Sequence, residues 1–301
     1  MAAQSMRDKI TATLQRAGEL RDEEKLHRYN GVLYPTILCP EQHLKDLGHT
    51  KAREDDVMLA AYPKSGFNWM VGVLKNVIAE ATATKVVNEI PPLMEFLSPE
   101  DMKMMDQAPS PRLVGTHMHP DRIPGSFYAK KTKILVIFRN PKDMLVSYYH
   151  FHNNNLILPS GQSWDTFFSK FLSGDVAWGS YFDYVLAWEG RMDDPSIKVV
   201  TYEELTQDPS RGIRDIGAFF GLTLTEAQVQ KVTAATTFEA MKKNSDETHP
   251  TIGNVIFRKG VVGDWRTHFT PEQSQEMDDA FNKRLAGTRL GAKLDYQKHC
   301  Q

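Results

Sequence analysis

The chain has 301 residues, 41% of them hydrophobic, and a formal net charge of −2. That composition fits a folded globular protein and excludes a mainly disordered one. The near-neutral balance gives no general electrostatic reason to bind nucleic acid or a membrane surface, so neither partner is expected, and a polyanionic ligand would have to be met by local basic groups.

The first twenty residues mix charged and apolar side chains and lack the apolar stretch of a signal peptide. No run reaches the ~18 apolar residues of a membrane span. The two cysteines, Cys39 and Cys300, show no metal-binding spacing and suit a reducing compartment, so a cytoplasmic location is expected and no metal is implied.

In chain order, the segment to about Leu26 reads as an amphipathic helix, and HRYNGVLYPTILCP as a loop or meander. VMLAAYP reads as a buried strand ending at Pro63, followed by a helix from Asn68 to about Ala83. RLVGTHMH and KILVIFR read as further strands, the second leading into a helix over DMLVSYYHFHN. IKVVTYEEL predicts a fourth strand, GIRDIGAFFG a helix, and TPEQSQEMDDAFNKRLAG a final helix capped by Thr270. The long polar segment NSDETHPTIGNVIFRKGVVGDWRTHFT predicts a mobile loop over the site. Apolar strands alternating with helices predict an α/β fold with a mainly parallel sheet covered on both faces. Ligands in such folds sit beyond the carboxyl ends of the strands, where AYPKSG, GTHMH, FRNPKD and TYEEL all fall. With no repeat or linker visible, one domain spanning residues 1–301 is expected.

Chemistry concentrates in three segments. YPKSGFNW places Lys64, Ser65 and Gly66 between a strand and a helix, where successive N–H groups and a lysine make an anion cradle. It is not the GxxxxGK[ST] loop of nucleotide triphosphatases, which disfavours an ATP-using enzyme such as a nucleotide kinase. FRNPKD puts Arg139 at a strand end, with Ser147 eight residues on, and RKGVVGDW adds Arg258 and Lys259 beside Gly260. Each segment alone has a bland reading as a turn, a cap or a basic loop. Together they suit a nucleotide carrying phosphates at two positions, with Trp69 and Phe238 as stacking partners for its base. Ten histidines are present. His117 and His119, at the end of one predicted strand and on the same face of it, are both candidates for a general base.

YPKSGFNW, FRNPKDMLVSYYHF and RKGVVGDWRTHFT resemble the three signature segments of the cytosolic sulfotransferases, in their order and approximate spacing. THMHPDRIPGSF, TYEEL and TTFEAMKKN fit the intervening segments, so the similarity runs from about Gly31 to Tyr296. WGSYF and LAGTRLGAKLDY look closest to the family 6B branch.

The resemblance implies a P-loop-like sulfotransferase fold with a phosphate loop after the first core strand. It implies 3′-phosphoadenosine 5′-phosphosulfate (PAPS) as donor, PAP as product, and no metal. It further implies that Lys64, Ser65, Gly66, Phe67, Asn68 and Trp69 hold the 5′-phosphosulfate. Arg139, Ser147, Arg258, Lys259 and Gly260 would hold the 3′-phosphate. Tyr202, Thr236, Thr237, Phe238 and Met241 would line the adenosine. Phe151 would face a small acceptor: a phenol, alcohol, hormone or xenobiotic offering a hydroxyl, or alternatively an amine. In the family's register His117, not His119, falls on the base, Lys64 stabilises the leaving oxygen, and Ser147 restrains Lys64.

Two departures stand out. Gly115 lies where many members carry a lysine, and Phe67 and Asn68 replace two hydroxyl residues of the phosphate loop. They motivate an alternative reading, a PAP- or PAPS-binding protein with weak or no catalysis, for which Gly115→Lys would be the diagnostic restoration. The acceptor pocket is expected in PPLMEFLSPEDMKMMDQ and in the loop after Phe151, with the methionines as an adaptable wall or as ordinary packing. Whether the chain forms a homodimer is left open.

Overall fold

The computed structural model describes residues 2–84, 92–245 and 253–301. Its first helix, Ala2–Glu19, stops short of the expected Leu26. The next stretch, expected as a loop or meander, is a hairpin. Asn30 (φ 47°) and Gly31 (φ 84°) both take the left-handed conformation that matches a two-residue turn to the twist of paired strands. β1 (Leu26–Tyr29) and β2 (Val32–Pro35) pair antiparallel across it.

The main sheet has four parallel strands, β3 (Val57–Ala61), β4 (Leu113–Thr116), β5 (Ile134–Phe138) and β6 (Ile197–Thr201), in the order β4-β3-β5-β6. Every residue of β3, β4 and β5 is buried. Alternate side chains serve opposite faces: Met58 and Ala60 join one apolar cluster, and Val57, Leu59 and Ala61 join the other. Both faces are therefore covered, which is why these strands read as unbroken apolar runs.

The helix Phe67–Thr82 covers one face and buries Phe67, Met70, Val71, Val73, Leu74, Val77 and Ile78. Each such side chain contributes about 1.5–3 kcal/mol when fully buried. Pro209–Phe220 shares this face, and Pro141–Asn153, entered through Asn140 and Pro141, lies against the other. The final long helix, Pro271–Arg284, begins with the expected Thr270 cap. Among the helices that were not anticipated are Pro99–Asp106, Trp164–Ser173, Tyr181–Glu189 and Glu226–Ala235. Each follows a Ser or Thr (Ser98, Ser163, Ser180, Thr225) whose side chain accepts a first-turn N–H.

Register brings the strand ends level. Ala60 pairs with Thr116, Ala61 with Ile137, and Phe138 with Thr201. Tyr62, His117, Arg139 and Tyr202 therefore leave the sheet along one edge.

β4 is shorter than RLVGTHMH suggested. Beyond Thr116 its ladder is replaced by side chains, since Glu95 accepts the N–H of His117 at 2.7 Å and the Thr116 hydroxyl accepts that of Met118 at 3.0 Å. His117 and His119 consequently do not share a strand face. His117 is buried, whereas His119 caps the short turn Pro120–Arg122 and faces Asp121 at 3.4 Å.

Of the expected mobile loop, residues 246–252 lie outside the described residues. The remainder of that segment is structured, with a short helix Gly253–Ile256 and a turn Asp264–Thr267 entered through left-handed Gly263. Among the described residues no helix is long and apolar enough to cross a membrane.

Candidate active site

A cavity of about 390 Å³ opens at the carboxyl edge of the sheet. Its walls bring together segments far apart in the chain, from the loop after β3 to the turn at Gly260.

The loop after β3 is shaped by left-handed residues at Lys64 (φ 66°) and Gly66 (φ 106°). A Cβ at Gly66 would lie 2.9 Å from the Tyr202 ring, so only glycine lets the loop pass there. Gly66 is the N-cap of Phe67–Thr82 and provides no side-chain cap, so the first N–H groups of that helix are open to an anion. Lys64, Gly66, Phe67, Asn68 and Trp69 all reach the cavity wall. Ser65 does not: it is fully buried, and its hydroxyl lies outside the wall. The Phe67 side chain is turned away from the loop, with its ring against Gly115 and His117.

Trp69 is fixed by its indole N–H, which donates to the Thr236 carbonyl at 2.8 Å, and by edge-on contact with Tyr202 at 5.4 Å. Tyr202 in turn supports the Arg139 guanidinium, 4.5 Å above its ring. Thr236, Thr237, Phe238 and Met241 continue this wall. Met241 packs where a side chain at Gly72 would clash, and Phe238 packs on Gly260 in the same way.

The cations fall into two states. Arg139 donates to the Val261 carbonyl at 2.8 Å, and the Lys64 amine lies 3.5 Å from the Ile256 carbonyl and 4.4 Å from the Phe151 ring centroid. Among the described residues neither has an ion-pair partner. Desolvation, with Arg139 and Arg258 nearby, brings the Lys64 amine down to about 7. Arg258 and Lys259 are already paired, at 2.5 and 2.6 Å, to the buried Asp264. Burial pushes the Asp264 carboxyl up, but hydrogen bonds from Lys259 and Arg258 outweigh it and hold it at about 2. Ser147 and Phe151, one turn apart on Pro141–Asn153, both face the cavity. Lys64 makes no hydrogen bond to Ser147 in this geometry, and its amine contacts Ile256 and Phe151 instead.

His117 projects into the same cavity from the end of β4. Its Nδ1 lies 2.7 Å from the Ala61 carbonyl. A carbonyl only accepts, so Nδ1 carries the proton and Nε2 keeps its lone pair. Burial lowers the imidazole to about 4, and Lys64 adds to that against the pull of the Ala61 bond. The ring is therefore neutral at physiological pH.

Sequence reasoning missed Glu95, Trp178 and Asp264. Glu95 is fully buried, and burial pushes it up to about 7. A lone carboxylate inside the apolar run PPLMEFL was the available signal for it. Trp178 meets the His117 ring edge-on at 5.3 Å and lines the cavity, although only its branch resemblance had drawn notice. Asp264 was in view within RKGVVGDW, but nothing local marked it as the counter-ion of its own cations. The methionines of the expected acceptor region serve as packing and not as the cavity wall: Met94 is in the core, Met102 and Met105 pack beside it, and Met104 is exposed. Leu93 and Phe96 line the cavity in their place, with Ile157 and Leu158 from the loop after Phe151. Pro91 lies outside the described residues.

A parallel α/β sheet with an anion loop, four convergent cations, an aromatic wall and a neutral imidazole defines a group-transfer enzyme for an anionic nucleotide. Comparison with known proteins makes this specific. The sulfotransferase domain matches residues 54–289. Sulfotransferase 6B1 of Danio rerio is 50% identical over 97% of this chain and 99% of its own, and that of Homo sapiens is 41% identical over 97% and 96%. The crystal structure of mouse sulfotransferase SULT7A1 complexed with PAP aligns with a TM-score of 0.80 at 33% identity, covering 90% of this chain and 99% of that one. The chain belongs to the sulfotransferase family and is a PAPS-dependent sulfotransferase.

Proposed function

We propose that this enzyme, as one sulfotransferase domain, moves the sulfuryl group of PAPS to the hydroxyl of a small apolar acceptor, with His117 as general base. The observation that carries the assignment is the 2.7 Å contact between Nδ1 and the Ala61 carbonyl, which presents Nε2 as a proton acceptor in the same cavity as Lys64.

The acceptor oxygen forms a bond to sulfur and its proton passes to Nε2. The bond from sulfur to the bridging phosphate oxygen breaks, and its electron pair leaves with PAP. Lys64, the only ammonium on the phosphate loop, meets the charge developing on that oxygen. The open N–H groups of Phe67–Thr82, including those of Phe67, Asn68 and Trp69, receive the 5′-phosphate, with Ser65 contributing backbone only. Arg139, Ser147, Arg258, Lys259 and Gly260 receive the 3′-phosphate. Trp69, Tyr202, Thr236, Thr237, Phe238 and Met241 flank the adenosine.

The acceptor end is bounded by Pro35, Leu38, Leu93, Phe96, Phe151 and Trp178. That wall favours a phenol or an apolar alcohol over a charged acceptor. Incubating His117→Ala with PAPS and a panel of phenols, alcohols and amines, alongside PAP binding by calorimetry, tests the assignment. Transfer should be lost while PAP binding persists; full activity would remove His117 from the mechanism.

A further inference from the structure

The two departures in the sequence, Phe67 and Gly115, touch each other. Gly115 lies in β4, and a Cβ placed on it would come 2.5 Å from Cζ and 2.9 Å from Cε2 of Phe67, distances that real side chains do not occupy. The backbone there has no room to retreat. The Gly115 N–H donates to the Pro92 carbonyl at 2.5 Å, and the residue pairs with Leu59 on its other side. The Phe67 ring is equally confined: it is buried, and its ring centroid is 4.7 Å from that of His117 in an edge-on contact. Trp178 makes a second edge-on contact with the imidazole at 5.3 Å. One hydrogen bond and two aromatic rings thus determine where the His117 ring lies.

We propose that Phe67 is a positioning residue for His117, and that Gly115 is the space its ring requires. The role rests on His117 being the base. Phe67 acts through that imidazole and keeps water from its edge, so that Nε2 is aimed at the acceptor and not free to swing. No side chain, lysine included, can be added at position 115 while the ring stays. The glycine is thus the complement of the phenylalanine, and Gly115→Lys alone is a clash and not a restoration.

The experiment is a double-mutant cycle on the full chain, with PAPS and p-nitrophenol as probes. Phe67→Ala retains every backbone N–H of the phosphate loop, so PAP affinity by calorimetry should stay within about threefold of wild type. Its kcat should fall roughly 10- to 100-fold, the usual cost of a misplaced reacting group. Phe67→Leu, which refills much of the space, should recover much of the loss. Gly115→Ala should be severely impaired alone and cost less than about twofold when added to Phe67→Ala, since contacting residues couple. Nitrogen NMR of the His117 ring gives a readout independent of turnover: the Nδ1–H tautomer should dominate in the wild type and become mixed in Phe67→Ala. If Gly115→Ala does not fold, folding of the Phe67→Ala/Gly115→Ala protein supports the pairing, and failure of both overturns it. Unchanged kcat and ring signals in Phe67→Ala would also overturn it. An active His117→Ala would instead sink the base assignment, whatever the ring signals show.

Discussion

The buried carboxylate of Glu95 accepts the backbone N–H of His117 at 2.7 Å. Its other oxygen accepts the Thr116 hydroxyl at 2.9 Å. Both carboxyl oxygens thus hold the chain where β4 ends and His117 begins. Glu95→Gln can satisfy only one of those donors, because its amide turns a donor toward the other. We expect kcat to fall about tenfold with PAP affinity nearly unchanged, as a buried unsatisfied group costs about 1–3 kcal/mol. Steady-state kinetics and PAP calorimetry on the same protein check this.

Glu95 also predicts a pH signature in stability. Burial raises its folded value to about 7, above the ordinary 4.5 of a glutamate. The folded state therefore binds this proton more tightly, and the stability associated with it is present below about 4.5 and lost as pH rises through about 7. His117, lowered to about 4 from 6.5, works in the opposite sense: its folding advantage is present above 6.5 and is lost as pH falls through about 4. Denaturant titrations across this window should show Glu95→Gln gaining on wild type as pH rises. An identical pH dependence in both proteins would show that the carboxyl does not titrate on unfolding.

If Lys64 meets the donor as proposed, it should couple donor binding to protons. In the unliganded protein it lies at about 7, lowered by burial and by Arg139 and Arg258. A bound phosphate raises it, so at pH 8 binding of PAP should take up nearly one proton, and affinity should fall up to tenfold per unit above about pH 7. Calorimetry in buffers of different ionisation enthalpy measures the uptake. Lys64→Arg, which stays charged, should abolish it while slowing transfer.

The proposed base should show its low pKa in the rate. With His117 at about 4 in the unliganded protein, kcat/KM for PAPS should be level from about pH 5 to 7 and decline only toward pH 4. A decline centred on 6.5 would mean that the imidazole is hydrated in the working enzyme.

If Arg258 and Lys259 hold the donor as proposed, Asp264 competes with it for them. It pairs with Arg258 and Lys259 at 2.5 and 2.6 Å. Asp264→Asn removes a negative charge beside an anion site, so PAP affinity should rise severalfold, while the unliganded protein should melt lower because two cations lose their partner. Thermal melts with and without PAP separate the two effects. Weaker PAP binding would mean that Asp264 serves chiefly to arrange the two cations.

Much was legible along the chain. The buried strands, the helices after Gly66 and Asn140 and the three cationic segments follow from apolar periodicity, cap residues and turn glycines, all of which act within a few residues. The turn at Asn30–Gly31, within the stretch read as a loop or meander, and the Ser- and Thr-capped helices, which the sequence reading did not include, are encoded just as locally. His117 over His119 was different, since from residues alone both remained open. Family register favoured His117, and only Ala61, reached across a strand pairing, shows which imidazole nitrogen is left to take a proton.

Phe67 and Gly115 mark where local information ends. From the sequence they were two separate losses, a missing hydroxyl and a missing lysine. The sequence by itself determined the fold class, the anion loop and the family's reaction, because these rest on short-range pattern. Only the tertiary structure decided that the ring of Phe67 fills the space over Gly115 and bears on His117, because that relation is one of volume between two adjacent segments of the sheet edge, and no spacing along the chain records it.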